Sequence, residues 1–404
     1  MTELLSPAGN LEKLKTALNY GADACYMGLD RFSLRANADN FTSGDLEEVI
    51  KVKKESGKRL YLALNIIFHQ RDLDELERMK DELSAWPFDA FIISDIGLVD
   101  FLKKNFPSSE LHLSTQASCM NKESARMYYE MGFSRVILGR EVGIDEIKAI
   151  KDYVPSLDLE CFVHGAMCMA YSGRCMLSKA LTGRSANQGD CSHTCRWNYR
   201  LNYALEEEER PGVYFPIEEH DGFTTILSSK DLMMFDHLGK LKETGISSFK
   251  IEGRMKSEYY VALVTRAYRK ALDNARDKDE YRRDLYDVSH REFTTGFFFP
   301  EDDGVSTPTS YGYERSYLYL GKIGRKVEEG LYELDVKNQI RSSSPIEYIA
   351  PDVHMIKDDD FKLYDSDMNE VEKVDHGKIS YIKTSLPVKE GYLMRKENTQ
   401  NINV

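Results

Sequence analysis

Four cysteines fall in one stretch of the chain, Cys168, Cys175, Cys191 and Cys195, with His164 and His193 beside them. Their spacing is C-x6-C-x15-C-x3-C. Thiolates are soft donors, and four of them can enclose a tetrahedral zinc ion or an iron–sulfur cluster. Structural zinc sites favour two tight C-x2–4-C knuckles, and here only the second pair is that tight, whereas a four-cysteine cluster accepts more varied spacing. Three readings therefore stand side by side: a 4Fe-4S cluster, a zinc ion, or thiols with no ligand role. Glycines in "AYSGRC" and "NQGDC" suit loops that bend closely around a metal. The two histidines are substitute ligands, although His164, at the end of a strand, suits substrate chemistry better.

The other three cysteines, Cys25, Cys119 and Cys161, lie in apolar runs and read as small buried hydrophobes. The total of seven is odd and clustered. The start "MTELLSPAGNLEKL" lacks the basic and apolar regions of a secretory signal. A reducing, cytoplasmic setting is expected, with metal or redox chemistry in place of a disulfide framework. The most apolar stretches, such as "FDAFIISDIGLV", are too short and too interrupted to span a bilayer.

The elements that must position these residues alternate in type. "ELLSP", "ACYMGL", "RLYLALNI", "AFIISD", "LHLSTQA", "RVILGR", "LDLECFVH" and "SSFKIEG" read as eight strands, each followed by helical periodicity. In the first helix Asn10 is the expected cap, with Leu11, Leu14 and Leu18 on one face. Eight such units predict a TIM-like (β/α)8 barrel, with a doubly wound open sheet as the alternative. Between "CFVH" and "SSFKIEG" the rhythm breaks, and 165–229 reads as a cysteine-rich insertion after strand 7. Loops after barrel strands build the site, so the insertion belongs on that face.

Strand alternation assigns faces. Leu159, Cys161 and Val163 should face the helices, and Asp158, Glu160 and His164 the lumen. By the same rule His112, Ser114, Gln116, Asn65, Lys250 and Glu252 face in, while Leu60, Leu62, Leu64, Leu111, Leu113, Phe249 and Ile251 face out. A lumen this polar favours a site over a plain core. The barrel is expected over 1–280, a connector over 281–315, and a small β-barrel of short strands over 316–404.

A net charge of −13 gives no overall electrostatic footprint for nucleic acid. An RNA partner would need a local basic face, for which 51–59 and 266–283 are candidates, although each also reads as a solvated helix face. The S-x-x-K match at 247–250 puts its Ser and Lys on opposite strand faces, and no G-x-S-x-G, H-E-x-x-H, Walker or G-x-G-x-x-G pattern occurs.

Taken together, "ELLSPAGNLEKLKTALNYGADACYMGL", "ECFVHGAMCMAYSGRCMLS", "LSSKDL", "KIEGRMKS" and "VSHREFTTGF" resemble the collagenase-like peptidase family of unknown catalytic type, over essentially the whole chain. Length, motif order and the small C-terminal β-domain are most similar to its tRNA-hydroxylating branch. Relatives include an rRNA cytidine hydroxylase and a pair of ubiquinone-biosynthesis proteins.

The resemblance implies oxygen-independent hydroxylation of the wobble uridine of tRNA to 5-hydroxyuridine, with prephenate as co-substrate and dependence on iron–sulfur assembly. Carried over by position, it places a 4Fe-4S cluster on Cys168, Cys175, Cys191 and Cys195. With that chemistry in view, Glu160, His164 and Glu252 are the candidate proton-handling residues. Arg140, Lys230 and Arg254 are the candidates for binding carboxylates or phosphates, arginine because its planar fork engages both oxygens. Tyr171, with Trp197, is a candidate for stacking on an unpaired anticodon base. The partners implied are the tRNA anticodon loop and the cluster-assembly machinery, with homo- or hetero-oligomers suggested by pairing among the relatives. The alternatives are an unconventional peptidase, an rRNA or small-aromatic hydroxylase of the same family, and a noncatalytic cluster-bearing scaffold.

Overall fold

The computed structural model describes residues 2–33, 40–167, 230–299 and 313–398, together with Arg174, Cys175, Ser178, Thr182, Arg184, Cys191, Ser192 and four two-residue strands between 205 and 224. The chain divides into two compact units, residues 1–261 with 291–312, and residues 262–290 with 313–404.

The first unit is built on eight parallel strands: β1 Glu3–Ala8, β2 Ala24–Met27, β3 Arg59–Leu64, β4 Ala90–Ile93, β5 Glu110–Leu113, β6 Arg135–Ile137, β7 Asp158–Ala166 and β8 Ser248–Ile251. Each pairs with the next in parallel as far as β7. The eighth pairs with both β7 and β1, where Glu3 lies opposite Ser248, so the ring closes. This is the (β/α)8 barrel expected from the alternation.

Local chemistry explains the elements. Helix α1, Leu11–Asn19, starts where the Asn10 side chain accepts the Lys13 N–H at 3.0 Å, and it buries Leu14, Thr16 and Ala17. The outward residues of the strands form the helix-facing core. Leu60, Leu62, Leu64, Leu113, Leu159, Val163, Phe249 and Ile251 are all fully buried, and each such side chain contributes roughly 2 kcal/mol of apolar transfer. Cys25 and Cys161 are buried in this layer and Cys119 is buried beyond the end of β5; burial pushes all three thiols up, Cys119 to about 12. These three are packing residues.

Strand β7 outlasts its neighbours. Its Gly165 and Ala166 pair antiparallel with Leu232 and Asp231 of a short strand, Asp231–Met233, which itself pairs with Phe293–Thr294. The segment 167–230, which carries the clustered cysteines, therefore leaves and re-enters at one rung beyond the barrel. Gly165 sits at φ 106°, and a Cβ there would lie 2.8 Å from the Glu252 carbonyl oxygen, so glycine is needed for this exit.

The second unit carries an eight-stranded antiparallel sheet that runs from Val353–Asp358 at one edge to Glu370–Val371 at the other. Leu320, Ile323, Tyr348, Leu363, Ile382 and Met394 form its core. Arg266 is buried within this unit, donating to both carboxylate oxygens of Asp284 at 2.8 and 2.9 Å and to the Ala350 carbonyl at 2.7 Å. Among the described residues no helix is long and apolar enough to cross a membrane.

Candidate functional site

Alternation turns a set of ionisable side chains inward, and barrel closure brings them together across the lumen. Glu160 of β7 has no exposed surface. Its Oε1 accepts from Lys250 Nζ of β8 at 2.8 Å and its Oε2 from Arg135 Nη1 of β6 at 3.1 Å. The same Arg135 nitrogen donates to Glu3 Oε1 of β1 at 2.5 Å. Glu3 also accepts from the Tyr61 hydroxyl at 2.6 Å and the Ser248 hydroxyl at 2.9 Å.

Beside this chain, His112 Nε2 meets Glu110 at 3.1 Å while its ring lies edge-on to Tyr61. The imidazole is held below its usual pKa, burial being the largest cause, so the neutral ring donates Nε2–H to Glu110 and keeps its lone pair on Nδ1. Burial alone would raise the Glu160 carboxyl, but Lys250 and Arg135 outweigh it and hold the group below the carboxylate range. Burial depresses the Lys250 ammonium against the pull of Glu160, and Arg135 stays charged between its two carboxylates.

Above this network lies a small cavity that opens to solvent at its mouth. Its lower wall is Tyr26, Ile92, Ile137, Phe162 and Lys250, and its rim includes Asn65, Gln116, Arg140, Glu252 and Arg254. The rim residues follow β3, β5, β6 and β8, so the opening is at the C-terminal end of the strands, the end where barrel enzymes place their chemistry. Among the described lining residues Lys250, Arg140 and Arg254 are the cations and Glu252 the carboxylate, while Glu160 pairs with Lys250 from below. Arg140 stacks 4.0 Å above the Phe162 ring and lies 3.6 Å from Glu252. Such a wall suits an anion with a flat or unsaturated body.

Arg254 is 4% exposed and owes its place to glycines. A Cβ on Gly28, just past β2, would fall 2.3 Å from Arg254 Nη1, and one on Gly9 2.2 Å from the Arg254 carbonyl oxygen.

Of the expected proton-handling residues, Glu252 lines the cavity, Glu160 lies beneath it clamped between two cations, and His164 points elsewhere. The β7–β8 register slips between Lys250 and Ile251, so His164 pairs with outward Ile251 instead of continuing the inward series from Phe162. Its ring packs near Tyr260 and Phe293 in the outer layer, at 6.0 and 5.6 Å between centroids. The simple alternation that aimed it into the lumen fails at this irregularity.

Arg140 and Arg254 are brought together at the rim. Lys230 is not part of the cavity wall and pairs with Glu292 at 3.2 Å, where the insertion returns. Tyr171, Trp197, His193, Cys168 and Cys195 lie outside the described residues.

Cys175 and Cys191 are half-buried. The Ser192 N–H donates to Ser178 Oγ at 3.0 Å and the Ser192 and Thr182 hydroxyls lie 3.0 Å apart, which brings the neighbour of Cys191 against Ser178 and Thr182. Among the described residues no three His, Cys, Asp or Glu side chains form a metal-holding group, and two of the four expected ligands lie outside that set. The donor type, cysteine thiolate, fits an iron–sulfur cluster or zinc.

Sequence reasoning missed Arg135, Glu3, Tyr26 and Phe162. For Arg135 a signal was present: it stands two residues before cavity-lining Ile137 on β6 and so shares its face.

Known proteins share this chain's pattern. The description "Peptidase family U32" matches residues 9–307, and "Peptidase family U32 C-terminal domain" matches 315–395. A Bacillus subtilis protein named tRNA hydroxylation protein P1 is 35% identical over 413 residues, covering 98% of this chain and 94% of its own length. Haemophilus influenzae tRNA hydroxylation protein P is 35% identical over 394 residues, 86% of each chain. An Escherichia coli 23S rRNA 5-hydroxycytidine synthase is 38% identical over 301 residues, 74% of this chain and 43% of that protein.

Proposed function

The chain belongs to peptidase family U32, and from that premise we propose that it is a tRNA-modifying enzyme that hydroxylates the wobble uridine to 5-hydroxyuridine without molecular oxygen. The names of the two full-length relatives support tRNA hydroxylation, and that of the rRNA relative points to C5 of a pyrimidine. The observation that carries the reading is the cation-rich cavity at the C-terminal end of the barrel, beside the point where the cysteine-bearing segment departs.

Replacing C5–H by C5–OH is a two-electron oxidation, so the oxygen donor must itself take up the two electrons or pass them to a separate acceptor. Prephenate is the proposed co-substrate, with a carboxylate received by the forked guanidinium groups of Arg140 and Arg254. Cys168, Cys175, Cys191 and Cys195 would hold a 4Fe-4S cluster, with zinc as the alternative; the cluster, when bound, supplies electron transfer. Glu252, ion-paired to Arg140 at the rim, is the carboxylate placed to hold a proton beside the ligand. Lys230, beside the returning insertion, is offered to RNA phosphate, and Tyr171 to stacking on the unpaired base. An anticodon base is already single-stranded, so its entry costs less than extrusion from a duplex.

Nucleoside mass spectrometry of tRNA from a strain lacking this chain tests the reading. The expected result is loss of 5-hydroxyuridine derivatives, restored by the intact chain but not by Cys175→Ala or Arg254→Met. Unchanged levels in the deletion refute it. Anaerobic purification with iron and acid-labile sulfide assays decides cluster against zinc. Peptide cleavage that survives Cys175→Ala would favour the peptidase alternative.

A further inference from the structure

Lys250 is the cation of the cavity wall that also belongs to the buried network below. Its side chain is 4% exposed. Among the described residues Glu160 is its hydrogen-bond partner, which leaves two of the three ammonium hydrogens for the cavity. Two rings flank it: Nζ lies 4.4 Å from the Tyr26 centroid and 5.6 Å from that of Phe162. Tyr26 is itself fixed, its hydroxyl donating to the Ile251 carbonyl at 2.9 Å. Glu160 cannot swing away, because its other oxygen is held by Arg135, which is held in turn by Glu3. The ammonium is thus locked in aim at the bottom of a cavity whose rim already holds two arginines.

We propose that Lys250 is the floor contact for one carboxylate of a small dicarboxylic acid bound in the cavity, and that Glu160 is the positioning residue that aims it. The proposal rests on reading the cavity as an anion site. It divides the ligand's charges: one carboxylate goes down to Lys250, the other to Arg140 and Arg254 at the rim. An ion pair serving stability alone predicts no dependence of ligand binding on Lys250.

Calorimetric binding of prephenate, and of malonate as a plain dicarboxylate, to the full chain and its variants tests this. Lys250→Met should weaken both ligands by about tenfold to a hundredfold, the effect of one charged hydrogen bond. Lys250→Arg should recover part of the loss. Glu160→Gln should bind well near pH 6 and progressively worse toward about pH 9, while the intact chain holds its affinity, because an ammonium without its carboxylate loses its proton earlier. The charged and titratable groups around it, Glu160, Arg135, Glu252, Tyr26, Arg140 and Arg254, are otherwise unchanged. The double variant should match Lys250→Met, since Glu160 acts through the lysine.

Equal binding by Lys250→Met and the intact chain overturns the proposal, as does a double variant that adds the two losses. If Glu160→Gln fails to fold, the two Lys250 variants decide alone. Malonate bound without prephenate refutes the co-substrate reading, and the Lys250 series is then scored on malonate; binding of neither overturns the floor contact as well.

Discussion

Replacing Arg135 by Met removes the hub of the lumen network while keeping the length of its apolar stem. The guanidinium is 4% exposed and joins Glu160 at 3.1 Å to Glu3 at 2.5 Å, with the Tyr61 ring 5.6 Å away. Without it Glu160 keeps Lys250, but Glu3 retains only hydroxyl donors, from Tyr61 and Ser248, in this network. Breaking a buried pair in this way costs about 3–5 kcal/mol, because a carboxylate is left uncompensated out of water. The loss should depend on pH. In the intact chain Glu160 is held below its unfolded pKa, so its contribution is present above that value and lost as pH falls. In the variant the folded carboxyl titrates higher and can neutralise itself, so the gap between variant and intact chain narrows on acidification. Urea denaturation at neutral pH and near pH 5 measures both effects. A destabilisation under about 1 kcal/mol, or a gap that widens toward acid, would show that water and not Arg135 compensates these carboxylates.

Two further perturbations follow from the geometry. Gly28→Val drives a side chain into Arg254 Nη1 and Ser33 Oγ, so the barrel should fold while affinity for dicarboxylates falls about tenfold or more, read by calorimetry; unaltered affinity would remove Arg254 from the site. Glu110 is lowered to about 2, chiefly by the His112 hydrogen bond and then by Arg59 at 2.6 Å. Its stabilisation is present above the unfolded value of 4.5 and lost as pH falls toward 2, so the stability difference between the intact chain and Glu110→Gln should shrink over that interval in acid titrations.

The barrel was legible because each β/α unit writes its own signature: alternation in "LDLECFVH" puts Leu159 and Val163 outside and Glu160 inside, and the fold keeps them there. Inward Lys250 and Glu252 were readable for the same reason. Their partners were not, because contact between β1, β6, β7 and β8 across a lumen depends on barrel stagger, which no local period encodes. His164 shows the limit of the rule, since one slipped register between β7 and β8 reverses a face and leaves no mark in composition. For the cysteine ligand set, spacing says which donors exist and little about where they meet.

The rung joining Ala166 to Asp231 separates two problems that a chain usually has to solve together. Because β7 and β8 zip directly to each other, closing the cylinder makes no demand on the 64-odd positions strung between those two residues, and lengthening such a tether twofold costs only about 0.6 kcal/mol. Changes in the length of that stretch therefore need not open the ring, and the rung is a seam at which the scaffold and the segment it carries can vary separately.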